Sequence, residues 1–353
     1  MPAFEINLKT TVDFLVGLLN TPSPTGYTVE AIEYTRKAFE ALAFPNTTLT
    51  VTYKGALLIS IKGKASDAPR GLTAHVDTLG LMVKEIKGSG RLKTTQLGGF
   101  MWGAVEFEGV TIRTSDNRRY RGTVLPQNPS THVNRDIADT KRTQDSMEVR
   151  IDAVTRSAAE TRAFGIEVGD FVFLDPRVEV TDSGFIRSRH LDDKLSVACI
   201  YAALLAMKDT GEIPAQDTYI LIANYEEVGH GGSAGFPVEL AELVAIDMAA
   251  IGDGQASDEY SCTLCVKDAT GPYHFELGNK LRRLARECGV NLKTDIYMFY
   301  GSDGSAYWRA GGAGRVALVG PGVDASHAYE RTHTDSIIDS SKLLANYMVD
   351  ASS

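Results

Sequence analysis

The sequence predicts an α/β protein in which a mostly parallel sheet, covered by helices, is interrupted by a β-rich insertion. Short apolar runs alternate with helical patterns toward both ends of the chain, which is typical of a parallel sheet with helices on its faces. The middle of the chain instead alternates apolar and polar residues with period two. The 353 residues suffice for two domains at roughly 150 residues each. We therefore predict a discontinuous domain, residues 1–87 and 186–353, and an insertion, residues 88–185.

The N-terminal segment predicts two helices followed by strands. Residues 7–20 and 28–42 have apolar residues at helical spacing, and a Pro-rich turn separates them. Residues 49–63 alternate as a hairpin, and residues 71–83 predict one buried strand. Within the insertion, residues 108–126 alternate around a turn, so we expect an all-β module with little helix.

After the insertion, helices and strands alternate again. A long helix is predicted over residues 191–211, where Gly211 provides a stop, and another over residues 275–288. Three apolar runs predict buried strands at residues 218–225, 242–248 and 315–322.

Composition and charge exclude several classes of protein. The net charge of -9, from 36 basic and 45 acidic residues, argues against nucleic acid as a main partner. No apolar run approaches the ~20 residues that cross a bilayer, and the first residues lack a secretory signal pattern, so we expect a cytoplasmic protein with no membrane partner. The four cysteines make no disulfide framework, and the lone C-x-x-C of Cys262 and Cys265 predicts reduced thiols rather than a zinc site.

Polar residues that follow the predicted strands identify a candidate site, because ligands bind outside the carboxyl ends of parallel strands. His75 and Asp77 follow one apolar run, and Glu226 and Glu227 follow another. The other polar residues in corresponding places are Asp192, Asp193, Asp247, His327 and His333. Burying so many carboxylates together is very costly without cations. The pattern therefore predicts a two-metal hydrolase.

The spacing of these residues suggests separate roles. His75 and Asp77 are two positions apart on a strand and face the same side, so one can bind a metal while the other bonds to its ring. Glu226 and Glu227 are adjacent and point to opposite sides, so one can bind a metal while the other serves as a general base. Asp192, ahead of a helix, can bridge two cations.

At these residues the sequence resembles the TET, or glutamyl-aminopeptidase-like, family of di-metal aminopeptidases. The resemblance rests on the motifs AHVDTLG, HLDDK, NYEEVGHGG, AID and ERTHTDS, and on Gly301-Ser302-Asp303-Gly304, which is similar to a Gly-Thr-Asp-Ala stretch. It covers almost the whole chain. It implies a zinc-peptidase-like α/β domain with a small PDZ-like β-barrel insertion used for dimerisation. It also implies a homo-oligomer, since members often assemble from dimers into hollow dodecamers.

The resemblance implies two divalent metal ions per chain, with ligands carried over residue by residue. His75, Asp192 and Asp247 would bind one ion. Asp192, Glu227 and His333 would bind the second, so that Asp192 bridges the pair. Zn²⁺ and Co²⁺ suit such mixed imidazole and carboxylate ligands.

The resemblance also implies catalytic residues and a substrate class. Glu226 would take a proton from the bridging water and pass it to the leaving amine, and Asp77 would orient His75. The substrates would be short peptides that lose their N-terminal residues. His327, six residues before His333, is expected beside the metal ligands or facing the substrate, and Asp303 receives no role.

Two departures from the family pattern leave the exact substrate open. Thr78 stands where Glu is common, and Thr334-Asp335 stands where many members have Ser-Pro. The ending S-H-x-Y-E-R-T-H is also similar to a subgroup that accompanies synthesis of a small peptide osmolyte. A specialised amidase or peptidase acting on a small peptide-like metabolite is therefore an alternative.

Two further motifs favour other enzyme classes. Gly229–Ala234 matches G-x-G-x-x-A after a strand, as in an NAD-dependent enzyme, but Pro237 follows where a helix should begin. Gly231–Gly235 matches G-x-S-x-G, but Ser233 lies well beyond the strand tip that a nucleophile elbow requires. A non-catalytic assembly protein would lack a ligand or the base, and the sequence lacks neither.

Overall fold

The structure, a computed structural model, describes residues 2–352. The helices are α1 (Leu8–Leu19), α2 (Val29–Leu42), α3 (Ala158–Ala163), α4 (Leu191–Thr210), α5 (Phe275–Cys288), α6 (Asp303–Arg309) and α7 (Thr334–Val349). The first strands are β1 (Thr47–Val51), β2 (Leu57–Ile61), β3 (Ala65–His75), β4 (Gly80–Ile86), β5 (Leu92–Leu97), β6 (Gly109–Arg113), β7 (Arg119–Pro126), β8 (Met147–Ile151) and β9 (Phe171–Leu174). The later strands are β10 (Glu179–Val180), β11 (Phe185–Ser188), β12 (Gln216–Ala223), β13 (Glu242–Ile246), β14 (Ala249–Ala250), β15 (Cys262–Asp268), β16 (Gly271–Pro272), β17 (Leu292–Ile296), β18 (Arg315–Val323) and β19 (Glu330–His333).

The central sheet has the order β1-β2-β12-β3-β13-β18-β15-β16, with β14 and β17 attached. Its middle strands β12, β3, β13 and β18 pair in parallel, and antiparallel pairs flank them. Every residue of β13 is buried, as expected for a strand covered on both faces. The mostly parallel sheet predicted from the alternating pattern is confirmed.

Helices cover both faces of this sheet. Val244 and Ile246 of β13 pack in the core formed with α1, α4 and α7. Leu243 and Ala245 of the same strand face the opposite core, which includes Tyr307 of α6. This alternation follows from the two-residue period of a strand. Within residues 2–352, no helix is both long and apolar enough to cross a bilayer.

The insertion forms a closed six-stranded barrel with the order β4-β5-β8-β7-β6-β9. Antiparallel pairing of β4 with β9 closes it, and fully buried Leu81, Val110 and Val172 fill its interior. The barrel strands run from Gly80 to Leu174, so they begin and end earlier than residues 88–185. The single strand predicted over residues 71–83 is wrong, because the chain leaves the central sheet after β3 and enters the barrel at β4.

Candidate metal centre and active site

The candidate site lies at the edge of the sheet where the middle parallel strands end. His75 is the last residue of β3, and Asp247 directly follows β13. Glu226 and Glu227 begin a short 3₁₀ helix after β12, and Asp192 lies in the first turn of α4. Because the carboxyl ends of parallel strands meet at one edge, the fold brings these distant residues together.

Three buried side chains form a first group that could hold a cation: His75, Asp192 and Asp247. One ligand atom from each lies within 4.8 Å of the other two. The Nδ1 of His75 donates to the Asp77 carbonyl oxygen at 2.9 Å, which leaves the Nε2 lone pair toward the group. This Nε2 is buried and has no hydrogen-bond partner among the described residues. Leaving such an atom unpaired costs free energy, so the group fits a divalent cation.

A second group consists of Asp192, Glu227 and His327, again within 4.8 Å of one another. His327 Nε2 lies 3.3 Å from Asp192 Oδ2 and 3.7 Å from Glu227 Oε2. The other oxygen of Asp192, Oδ1, lies 3.3 Å from the His75 Nε2 of the first group. Asp192 thus presents one carboxylate oxygen to each histidine, which is the arrangement expected of a bridging ligand.

The structure does not bring His333 into either group, contrary to the expectation from the sequence. His333 belongs to β19, which pairs with β11 in a separate three-stranded sheet. Its Nε2 donates to the Ser183 carbonyl oxygen at 2.9 Å, and its Nδ1 accepts the Asp335 backbone N–H at the start of α7. Both ring nitrogens are therefore occupied away from the cluster.

His327 occupies the place expected for His333, and the chain path after β18 explains this. Asp324 and Arg331 pair antiparallel, so the residues between them form a loop. This loop carries His327 to the carboxyl end of the sheet, where its Nδ1 bonds to the Gly99 carbonyl oxygen. The sequence did hold a signal, because His327 lies closer than His333 to the end of the last apolar run.

Glu226 belongs to neither group but lies beside the first. Its Oε2 is 3.7 Å from His75 Nε2, and its side chain is 15 % exposed, against 4 % for Glu227. The two adjacent carboxylates point to different neighbours, His75 and His327, as their adjacency predicts. A carboxylate that is free of the groups and reaches the solvent-accessible side can exchange protons with a bound substrate.

Asp77 is fully buried beside His75, and its contacts with the His75 ring differ from those expected. Its backbone carbonyl, rather than its carboxylate, lies nearer the His75 ring, at 2.9 Å against 3.5 Å. The carboxylate accepts the backbone N–H groups of Glu226 and Glu227 at 3.1 and 3.3 Å. Asp193, which the sequence placed among the candidate residues without a role, accepts the His75 backbone N–H through its Oδ2 at 3.2 Å.

Burial and like charge shift the pKa values of these carboxyl groups. Burial raises the pKa of Glu226 and of Glu227 well above the usual range, and together with the Asp192 charge it raises the pKa of Asp247 to about 8. Burial also acts to raise the pKa of Asp192, but the imidazoles of His327 and His75, each 3.3 Å from one of its carboxylate oxygens, hold this pKa below its usual value. Cations among these groups would favour the charged carboxylates and oppose the upward shifts.

The glycine-rich loop after Glu227 lacks the context of a nucleotide or serine site. The structure describes all of residues 229–241, and they contain no helix. The loop therefore has no helix N-terminus that could bind the pyrophosphate of a dinucleotide, and the NAD alternative is wrong. Among residues 2–352, Ser233 Oγ has one hydrogen-bond partner, the His230 carbonyl oxygen, to which it donates. Instead the glycines allow close packing, because a Cβ on Gly232 would lie 2.6 Å from the Asp303 carbonyl oxygen. The Asp303 carboxylate accepts the Gly232 backbone N–H at 2.5 Å.

Comparison with known proteins identifies the family. The sequence profile of the M42 glutamyl aminopeptidase family matches residues 55–343, most of the chain. The chain belongs to the M42 family. The resemblance stated from the motifs is thereby confirmed, and the chain is a hydrolase of the peptidase class.

Relatives of this M42 peptidase agree in sequence and in fold. A Bacillus subtilis (strain 168) protein named "Putative aminopeptidase YhfE" is 46% identical over 97% of this chain and 98% of its own length. The TET aminopeptidase from a marine sediment archaeon of the Thaumarchaeota superposes with a TM-score of 0.86 at 17% identity, over 97% of this chain and 96% of that one. The Pyrococcus horikoshii TET1 peptidase, described as assembling into a tetrahedron or a large octahedral shell, gives 0.83 at 19% identity over 96% and 99%. The predicted fold class is confirmed.

The two groups of this M42 peptidase open into one cavity of about 650 Å³. One wall carries Asp192, Glu226, Glu227, Asp247 and His327. A more apolar part of the lining carries Met248, Tyr297, Met298, Phe299 and Tyr300. The volume falls within the roughly 300–1,000 Å³ typical of small-molecule sites. The cavity therefore combines a charged wall that can do chemistry with an apolar part of the lining that can hold a side chain.

Proposed function

We propose that this protein is a metallo-aminopeptidase that removes N-terminal residues from short peptides, using two divalent cations held through Asp192. The observation that carries the proposal is the pair of three-residue groups that share this carboxylate and face one cavity together with Glu226. Each group mixes imidazole and carboxylate donors, which suits Zn²⁺ or Co²⁺.

The chain's own residues would divide the work as follows. His75, Asp192 and Asp247 hold one cation, and Asp192, Glu227 and His327 hold the other. When bound, two such cations polarise the scissile carbonyl and lower the pKa of the attacking water. The remaining chemistry falls to groups of the protein.

Glu226 acts as the general base in this proposal. It takes a proton from the attacking water and passes it to the amine that leaves. Its carboxylate is free of both groups and lines the cavity, and the Asp77 carboxylate fixes its backbone N–H. Glu227, its neighbour, contributes to the second group and is less exposed. Because the two side chains are chemically identical, only their different positions assign the role of base to Glu226 and that of metal ligand to Glu227.

The charge around the cavity favours a substrate with a free N-terminus. The carboxylates at the site, all buried except the partly exposed Glu226 and Glu227, are Asp77, Asp192, Asp193, Glu226, Glu227, Asp247 and Asp303. Two divalent cations carry four positive charges and do not balance this set. The remaining negative charge attracts the protonated N-terminal amine of a peptide, and the apolar part of the lining can hold the side chain of that N-terminal residue.

Metal stoichiometry and amine dependence test the proposal together. Protein loaded with excess Co²⁺ or Zn²⁺ and then desalted should retain close to two ions per chain by elemental analysis. It should hydrolyse leucine p-nitroanilide, and a chelator should abolish that activity. Free metal at a hundred times the dissociation constant should stabilise the fold by about 2.7 kcal/mol per site.

N-acetyl-leucine p-nitroanilide is the matched control substrate, because acetylation removes only the charged amine. It should not be hydrolysed at a measurable rate. Retention of no ion, or equal hydrolysis of the acetylated substrate, would contradict the proposal.

Paired histidine variants test which imidazole binds the second ion. H327A should retain one ion instead of two and lose most of its activity, because His327 is the only histidine in the second group. H333A should retain both, because its ring bonds to Ser183 and Asp335 in a different sheet. The reverse outcome in elemental analysis would restore the ligand set expected from the sequence.

The oligomeric state and location extend the proposal. We propose a homo-oligomer built from dimers through the barrel. Exposed apolar side chains in the loops between the barrel strands, Val133, Val154 and Val168, support this, as does the assembly described for Pyrococcus horikoshii TET1. The cytoplasmic location expected from the sequence stays a prediction.

A further inference from the structure

Glu330, the first residue of β19, lies directly behind the proposed second metal site. Its side chain is buried, with 2 % of the residue exposed. Its Oε2 accepts the backbone N–H of Asp192 at 3.0 Å, and its Oε1 accepts the backbone N–H of His327, also at 3.0 Å. One carboxylate therefore bonds to the main chain of two residues that belong to the second group.

The main chain at both residues is irregular, so regular secondary structure does not fix it. Asp192 has non-helical angles, φ −73° and ψ 104°, although it lies in the first turn of α4. His327 has φ 63°, in the left-handed region that non-glycine residues rarely adopt. A left-handed conformation at a non-glycine residue such as His327 persists when neighbouring groups hold it. Glu330 supplies such contacts to both residues at once.

We infer that Glu330 is a positioning residue for the second metal ion, because it fixes the spacing between Asp192 and His327. The inference rests on the proposed function. Glu330 is not in either ligand group and does not line the cavity of about 650 Å³. It acts through the two ligands rather than on the substrate.

The first group depends on Glu330 less than the second. His75 and Asp247 are placed by the ends of β3 and β13, which are central strands of the sheet. Of the first group, Glu330 contacts only Asp192, and the Asp192 Oδ1 also lies 3.3 Å from His75 Nε2. Loss of Glu330 should therefore weaken the second ion more than the first.

A second contact should keep the His327 loop close to its place when Glu330 is changed. Arg189, buried with 4 % exposed, donates to the Ala328 carbonyl oxygen at 3.1 Å. The same guanidinium donates to Glu108 of the barrel at 2.8 and 2.6 Å. Changes at Glu330 should thus shift the ligands locally rather than release the loop.

The test compares Co²⁺ binding to wild type, E330Q and E330A by calorimetric titration. In E330Q an NH₂ group, which cannot accept an N–H, replaces one carboxylate oxygen, and in E330A both acceptors are lost. Changes to groups that orient metal ligands typically cost 10–100-fold in affinity. We expect about that loss for the second ion, with the first ion changed by less, and we expect excess Co²⁺ to restore activity.

E148Q is the matched control, because Glu148 is also buried, with 4 % exposed, but bonds to Lys87 and Arg91 in the barrel. It should bind both ions as wild type does. Equal weakening of the two ions in E330Q, a second-ion loss in E148Q, or activity that excess Co²⁺ does not restore would overturn the inference. If E330A does not fold, the Co²⁺ affinities of E330Q alone test the role of Glu330.

The outcomes also separate this inference from the proposed function. Wild type that binds two ions and cleaves leucine p-nitroanilide, together with an E330Q variant of unchanged affinity, would refute the role of Glu330 alone. Wild type that binds no ion would refute both.

Discussion

E226Q should lower kcat about a thousandfold while leaving two ions bound per chain. General acid–base groups typically contribute about 10²–10⁴-fold to the rate. The amide of glutamine has nearly the shape of the carboxylate but cannot take a proton from water at neutral pH. Because Glu226 belongs to neither ligand group, the ions should stay in place. Steady-state kinetics and elemental analysis of the same preparation measure both quantities.

E227Q is the matched control, since it makes the same chemical change one residue further along the chain. Glu227 Oε2 lies 3.7 Å from His327 Nε2 and belongs to the second group. E227Q should therefore lose affinity for one ion, and added metal should recover part of its activity. An E226Q variant with wild-type kcat, or one that loses an ion, would contradict the assignment of the base.

D192N should bind neither ion tightly and should show no measurable turnover. Asp192 presents Oδ1 toward His75 and Oδ2 toward His327, so it is the one carboxylate common to both groups. Asparagine keeps one neutral oxygen and replaces the other with an NH₂ group, which repels a cation. Each group is left with two full ligands. Elemental analysis after loading with excess Zn²⁺ should give close to zero ions, against about two for wild type.

D217N controls for the loss of a buried carboxylate as such. Asp217 is 5 % exposed, close to the 6 % of Asp192, but it lies at the start of β12, where it bonds to Lys62. That is the opposite end of the strand from the site. D217N should retain both ions. Retention of one full ion in D192N would show that the two groups do not depend on a shared ligand.

The sequence predicted the helices and the sheet well, because their patterns are local. The predicted helix at 275–288 coincides with α5, and the hairpin predicted at 49–63 contains β2 and most of β1. The apolar runs at 242–248 and 315–322 contain β13 and most of β18. Strands buried on both faces need continuous apolar residues, so their positions can be predicted from apolar runs in the sequence.

The strand prediction at residues 71–83 failed because the chain changes direction within this run. The run at 71–83 is mostly apolar, yet β3 ends at His75 and β4 belongs to the barrel. Nothing in the apolar pattern distinguishes the two destinations, because each strand is buried in its own core. The bend coincides with Asp77, whose carboxylate accepts the backbone N–H of Glu226.

By itself the sequence determined the fold class and the family, and it named most of the residues that the structure brings together in the two groups, because they directly follow apolar runs or precede a long helix. Tertiary structure alone decided between His327 and His333, since pairing of Asp324 with Arg331 sends one ring to the cluster and the other to β19. It also revealed Glu330, whose role lies in hydrogen bonds to backbone N–H groups. Every residue offers such groups, so no sequence motif records which side chain accepts from them.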